Sequence, residues 1–134
     1  MPTQSVEHSY VQEPGDVLDP RRLEQLFAIE RRGAPGYVAA LCGAFLSDAP
    51  QRLKRMQAAQ ECGDVAAVRE EVHALRSSAA TVGATFVARR CVAIEEAIQA
   101  GNTAELGTLL LALKQQFTRA EPLLARLSKA STLK

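Results

Sequence analysis

The stretch from Asp64 to Gly83 constrains the fold more than any other part of the sequence. Its apolar residues are Val65, Val68, Val72, Leu75, Ala79 and Val82, a 3-4-3-4-3 series that an α-helix turns into one continuous stripe. Asp64 is placed to accept from the free N–H groups of the first turn, and Gly83 to end the helix in the left-handed conformation. Such a stripe has to be buried, and the flanking sequence supplies partners of the same period. From Tyr37, the apolar positions Val38, Leu41, Cys42, Phe45, Ala49, Leu53 and Met56 run towards Cys62 and Gly63. Val87, Cys91, Ile94 and Ile98 follow before Gly101. Leu106, Leu109, Leu110, Leu113, Phe117, Ala120, Leu124 and Leu127 follow a start at Asn102 or Thr103. The apolar phase crosses Pro50 unchanged, which predicts one kinked helix there, while Pro122 is expected to kink or shorten the last.

Four amphipathic helices with very short connections bury their stripes only against one another. The expected fold is therefore all-α, an antiparallel up-and-down four-helix bundle. A short additional N-terminal helix is expected from Asp19 to Glu30, with Asp19 as cap, Pro20 in the first turn, and Leu23, Leu26 and Phe27 on its apolar side. It would close one end of the bundle. Residues 1–17 show no apolar period and contain Pro2, Pro14 and Gly15, so they read as a flexible lead or linker before a domain over 18–130. A length of 134 residues leaves room for a single core. An aromatic content of 4% without tryptophan, in a chain that is 47% hydrophobic, disfavours a sandwich or barrel.

Charge narrows the partners. Sixteen Lys and Arg against fifteen Asp and Glu give a net charge of +1, which lacks the basic footprint of a nucleic-acid or acidic-lipid binder. Nucleic acid and direct membrane contact are thus excluded from the expected partners, and a protein or small molecule remains. Neither a membrane span nor an apolar signal core is visible, and a cytoplasmic domain is expected. Cys42, Cys62 and Cys91 are an odd number without CxxC spacing, and they read as small core residues in a reducing compartment.

Of two histidines, His8 falls in the lead and His73 lies mid-helix. His73 is one residue from Val72, so it is turned about 100° from the buried stripe, towards solvent. Arg69 and Glu70 precede it on the same face, and Arg76, Ser77 and Ala80 follow. By spacing alone, an exposed helical histidine beside an arginine is most often an ordinary solvated pair.

The run His73-Ala74-Leu75-Arg76-Ser77-Ser78-Ala79-Ala80-Thr81-Val82-Gly83-Ala84 adds more. It resembles the signature of histidine-containing phosphotransfer domains, His-x-Leu-Lys-Gly-Ser-(Ser/Ala)-x-x-hydrophobic-Gly-Ala, at His73, Leu75, Ser78, Ala79, Val82, Gly83 and Ala84. The stretches Leu18-Asp19-Pro20-Arg21-Arg22-Leu23, Phe45 to Leu53 and Cys91-Val92-Ala93-Ile94-Glu95 also look like that family's, so the resemblance spans roughly Leu18 to Leu127. The family's lysine is Arg76 here, which keeps the charge and adds a bidentate fork. The family's glycine is Ser77, which adds a Cβ and a hydroxyl where a partner approaches.

The resemblance implies that His73 takes a phosphoryl group from a receiver-domain aspartate and hands it to another receiver, in a two-component phosphorelay. The first receiver could belong to a hybrid sensor kinase in the same polypeptide. Phosphate- and partner-binding roles would fall to Arg76, Ser77, Arg69 and Ala80. The domain needs no cofactor, because the receiver brings the metal, expected to be Mg²⁺, together with its own lysine. No kinase catalytic core or glycine-rich phosphate loop is present, in keeping with a passive module.

The alternative is an adaptor that restrains a receiver or another enzyme through the same helix face without transferring phosphate. A metal site is disfavoured: Glu70-x-x-His73 is half of a di-metal motif whose second Glu-x-x-His is missing. Arg21-Arg22, Arg31-Arg32 and Arg89-Arg90 read as solvated faces and are left out of the site.

Overall fold

The computed structural model describes residues 17–132, with side chains to Lys129. Helix α1 spans Pro20–Arg31, α2 Tyr37–Glu61, α3 Val65–Val82, α4 Thr85–Gln99 and α5 Leu106–Thr132, with a 3-10 turn over Thr103–Glu105. Helices α2 to α5 alternate in direction and pack in a closed ring, α2 on α3, α3 on α4, α4 on α5 and α5 back on α2. This is the expected all-α, up-and-down four-helix bundle with one extra N-terminal helix.

The stripes meet in a single core. Val68, Val72 and Leu75 of α3, Val38 and Cys42 of α2, Val87 and Ile94 of α4, and Leu113 and Leu124 of α5 are all fully buried. Phe45 and Phe117 tilt against each other across α2 and α5 with ring centroids 5.9 Å apart. The expected caps form as well. Asp64 accepts from the N–H of Ala67, Asp19 accepts from that of Arg21, and Gly83 ends α3 at φ +77°.

Neither proline ends its helix, so α5 runs through Pro122 to Thr132 and is not shortened. The periodic burial on both sides of each proline outweighs the single backbone hydrogen bond it removes. Cys42 and Cys91 are buried, but Cys62 is exposed, which corrects the expectation that all three sit in the core. Cys62 is the C-cap of α2, beyond the last turn of the apolar stripe.

Residues 1–16 of the expected lead lie outside the described residues, and His8 with them. Val17 belongs to the fold: it is buried, and its carbonyl accepts from the N–H of Thr85 at 3.1 Å. Leu18 pairs with Ala84 in one antiparallel bridge, and the N–H of Asp19 donates to the carbonyl of Gly83 at 2.8 Å. Arg22 Nε adds a bond to the carbonyl of Thr81 at 3.0 Å. Through these bonds α1 is tied to the end of α3 and closes the bundle beside the turn into α4. At its far end, Glu30 accepts from the N–H of Val38, supplying α2 with the N-terminal cap that Gly36 lacks a side chain to give.

A second set of charges joins α2 to α3. Arg52 bridges Asp48 and Glu71 at 2.7 and 2.9 Å, and Arg55 Nε reaches Glu71 at 2.8 Å. The Arg55 hydrogen bond, with that of Arg52 behind it, holds the Glu71 carboxyl below the usual glutamate range.

Candidate functional site

Helix α3 carries Val72 and Leu75 into the core, and the helical rotation between them turns His73 out towards α4. Its side chain is 62% exposed. Across the groove, Ile94 anchors α4 in the core and the next residue, Glu95, comes to the surface beside the imidazole. His73 Nδ1 lies 3.0 Å from Glu95 Oε2. Arg76, one turn along α3, places Nη2 3.1 Å from the same Nδ1 and Nε 2.6 Å from Glu95 Oε1. Three side chains from two helices thus close a ring of contacts around one edge of the imidazole, while Nε2 has no protein partner among the described residues.

The chemistry of this ring is exclusive. An arginine donates only, and a carboxylate accepts only. A neutral imidazole whose Nδ1 carries the proton satisfies Glu95. One whose Nδ1 is bare satisfies Arg76, and the two arrangements are alternatives. The Arg76 and Glu95 charges also neutralise each other.

The other expected residues divide by position. Arg69 and Glu70 are exposed and line an open groove with His73, walled by Val65 and Ile98, on the side of the site nearest the start of α3. Ser77 and Ala80 are exposed on the opposite side, towards Gly83, and do not enter that groove. Neither hydrogen-bonds to His73, whose partners are Glu95 and Arg76. Arg89 stays out of the site, lying over the Phe86 ring at 5.3 Å.

Glu95 is the residue that sequence reasoning passed over. It stood in a stretch compared with the family, but it received no role. The signal was available: with α3 and α4 antiparallel about the turn at Gly83–Ala84, residues at similar distances from the turn come level, which pairs His73 with Glu95.

The Hpt domain family model matches residues 40–122, more than half of the sequence, and the match contains the whole His73 to Ala84 run and Glu95. The chain belongs to the Hpt domain family. As an Hpt domain it is a histidine phosphotransfer module of two-component phosphorelays.

Solved structures agree on the fold. Histidine-containing phosphotransfer protein B from Pseudomonas aeruginosa superposes with a TM-score of 0.76 at 23% identity, covering 87% of this chain and 97% of that one. A putative histidine-containing phosphotransfer protein from rice gives 0.78 at 20% identity, covering 98% and 91%. The maize protein ZmHP2, also a histidine-containing phosphotransfer protein, gives 0.77 at 22%, covering 96% and 97%. No curated protein sequence matches the chain.

The two buried thiols do not compete with His73 as nucleophiles. Burial pushes the Cys42 thiol up to about 11 and that of Cys91 to about 12, with the Glu95 charge adding to the second, so both stay protonated near neutral pH. Among the described residues no group of three or more His, Cys, Asp or Glu is placed to hold a metal ion, and no helix is long and apolar enough to cross a membrane.

Proposed function

We propose that His73 is the phosphoacceptor of this Hpt domain, taking a phosphoryl group at Nε2 from the aspartyl phosphate of one receiver domain and passing it to the aspartate of another. One observation carries the reading: both hydrogen-bonding partners of the imidazole meet it at Nδ1, which leaves Nε2, on a largely exposed side chain, without a protein hydrogen bond among the described residues. With the proton on Nδ1, the Nε2 lone pair is the nucleophile, and it attacks phosphorus in line as the bond to the aspartate oxygen breaks.

The domain supplies position and little charge. Arg76 is neutralised by Glu95, so the metal ion and lysine that balance the transferring phosphoryl group belong to the receiver. Mg²⁺ on the receiver suits that role, and no cofactor is assigned to the domain. A donor receiver in the same polypeptide, as in a hybrid sensor kinase, fits this chemistry as well as a separate one. Ser77 and Ala80, exposed and small, leave room for a receiver to approach from the Gly83 side.

The test is incubation with a phosphorylated receiver. The wild-type domain should take up phosphate that is labile to acid and stable to base, and His73→Gln should take up none. A His73→Gln protein that still becomes phosphorylated refutes the assignment. A wild-type domain that binds the receiver and never acquires phosphate makes the chain an adaptor instead.

A further inference from the structure

The contest for His73 Nδ1 points beyond the identity of the acceptor, to a division of labour between its two neighbours that rests on His73 being that acceptor. Glu95 and Arg76 lie at 3.0 and 3.1 Å from the same nitrogen, one able only to accept from it and the other only to donate to it. From this geometry we infer that Glu95 and Arg76 exchange places as the hydrogen-bond partner of Nδ1 with each phosphoryl transfer, Glu95 serving the free histidine and Arg76 the phosphohistidine.

Protons and electron pairs balance at every step. Before transfer, Nδ1 holds the ring proton and donates it to Glu95 Oε2, which keeps the lone pair on Nε2. As Nε2 bonds to phosphorus and the phosphorus–oxygen bond to the donor aspartate breaks, the electron pair leaves with that aspartate and the ring becomes a cation. The Nδ1 proton then passes to Glu95 Oε2, and from its partly exposed carboxyl to solvent. Nδ1 is left bare, and the N–H of Arg76 Nη2, already in reach, donates to it. Transfer to the second receiver reverses each step: Nδ1 regains a proton by way of Glu95, and the nitrogen–phosphorus bond breaks towards the incoming aspartate oxygen.

Both residues act through the nitrogen remote from phosphorus, so both are positioning residues. Arg76 in particular is assigned to the ring, on the edge away from the phosphoryl group. The two side chains therefore oppose one another, and their removal has effects of opposite sign. Glu95→Gln puts a neutral amide where the carboxylate stood: its oxygen is a weaker acceptor for the Nδ1 proton, its nitrogen can donate to Nδ1, and Arg76 loses the charge that held it. The balance therefore moves towards the tautomer with the proton on Nε2, which is not nucleophilic. Uptake should slow about tenfold, near the effect of one charge-assisted hydrogen bond, while the phosphohistidine, once formed, lives longer. Arg76→Ala removes the partner of the bare Nδ1, so the phosphorylated ring keeps its proton more of the time and loses phosphate to water faster.

The experiment is ¹⁵N NMR of the His73 imidazole in wild type, Glu95→Gln and Arg76→Ala, joined to rates of phosphate uptake and loss. Wild type should show the Nδ1–H tautomer when free and a bare Nδ1 when phosphorylated. Glu95→Gln should shift the free form towards Nε2–H. An unchanged tautomer in Glu95→Gln, or lifetimes that move in the same direction in both variants, overturns the exchange even if wild type is phosphorylated normally. A wild-type domain that takes no phosphate at His73 removes the acceptor reading and the exchange with it.

Discussion

Replacing Gly83 with alanine tests whether α1 is packed against the turn that follows α3, and Gly63→Ala is its matched control. Both glycines have left-handed backbone, with φ of +77° and +75°. An alanine meets roughly 1–2 kcal/mol of strain in that conformation at either site, of which about 0.4–1 kcal/mol is offset by the stiffer unfolded chain. The two positions differ in what surrounds the new Cβ. At Gly63 nothing lies within 4 Å. At Gly83 it would sit 3.3 Å from Arg22 Cβ, 3.4 Å from Arg22 Cγ and 3.5 Å from the carbonyl oxygen of Asp19, all at the start of α1. Those atoms belong to the base of a side chain and to the backbone, so relief requires α1 to shift and strains the Arg22 bond to Thr81. Overpacking of this kind costs about 1–3 kcal/mol more. Gly63→Ala should therefore cost about 1 kcal/mol and Gly83→Ala about 2–4 kcal/mol in urea titrations of equal slope. Equal losses, within the ~0.5 kcal/mol scatter of such comparisons, would refute the close approach of α1 to the turn.

The site and its supports yield three more expected outcomes. His73→Gln, at a largely exposed position, should melt within ~0.5 kcal/mol of wild type while losing phosphate uptake; an unfolded variant would show that the histidine was structural. Ser77→Trp should likewise leave the melting temperature nearly unchanged yet strongly reduce receiver binding and transfer, and normal transfer would move the docking face away from the Gly83 side. Glu71→Gln should lower the melting temperature at pH 7 and flatten its decline in acid. The Glu71 carboxyl is held below its ordinary value by Arg55 and then Arg52, so its contribution is complete above the unfolded glutamate pKa of about 4.3 and fades as pH falls through the lower folded value. An acid melting profile identical to wild type would mean that the network adds nothing.

What the sequence discloses depends on whether an interaction runs along one helix or between two. Periodicity is a property of a single helix, which is why the stripes of α2 to α5, the Asp64 cap and the Gly83 stop were all readable, and why the apolar phase correctly carried α2 through Pro50. It also turned His73 outward from Val72. Composition was a poorer guide, since it counted Cys62 with the buried thiols although no stripe reaches it. The tie between Val17–Asp19 and Gly83–Thr85 uses backbone groups, which leave no mark in side-chain pattern.

The site shows the same division most clearly in Arg76. Counting along α3 places its guanidinium one turn from His73 and suggests a cation for the phosphoryl group. That count omits α4, where Glu95 takes hold of Nε at 2.6 Å and brings Nη2 to the edge of the ring away from Nε2. The charge expected to meet phosphate is already neutralised, and the donor expected to touch an oxygen touches a nitrogen. A residue's type and spacing along one helix therefore fix which side chains can reach the site, but the partner on the neighbouring helix decides which atom each of them serves.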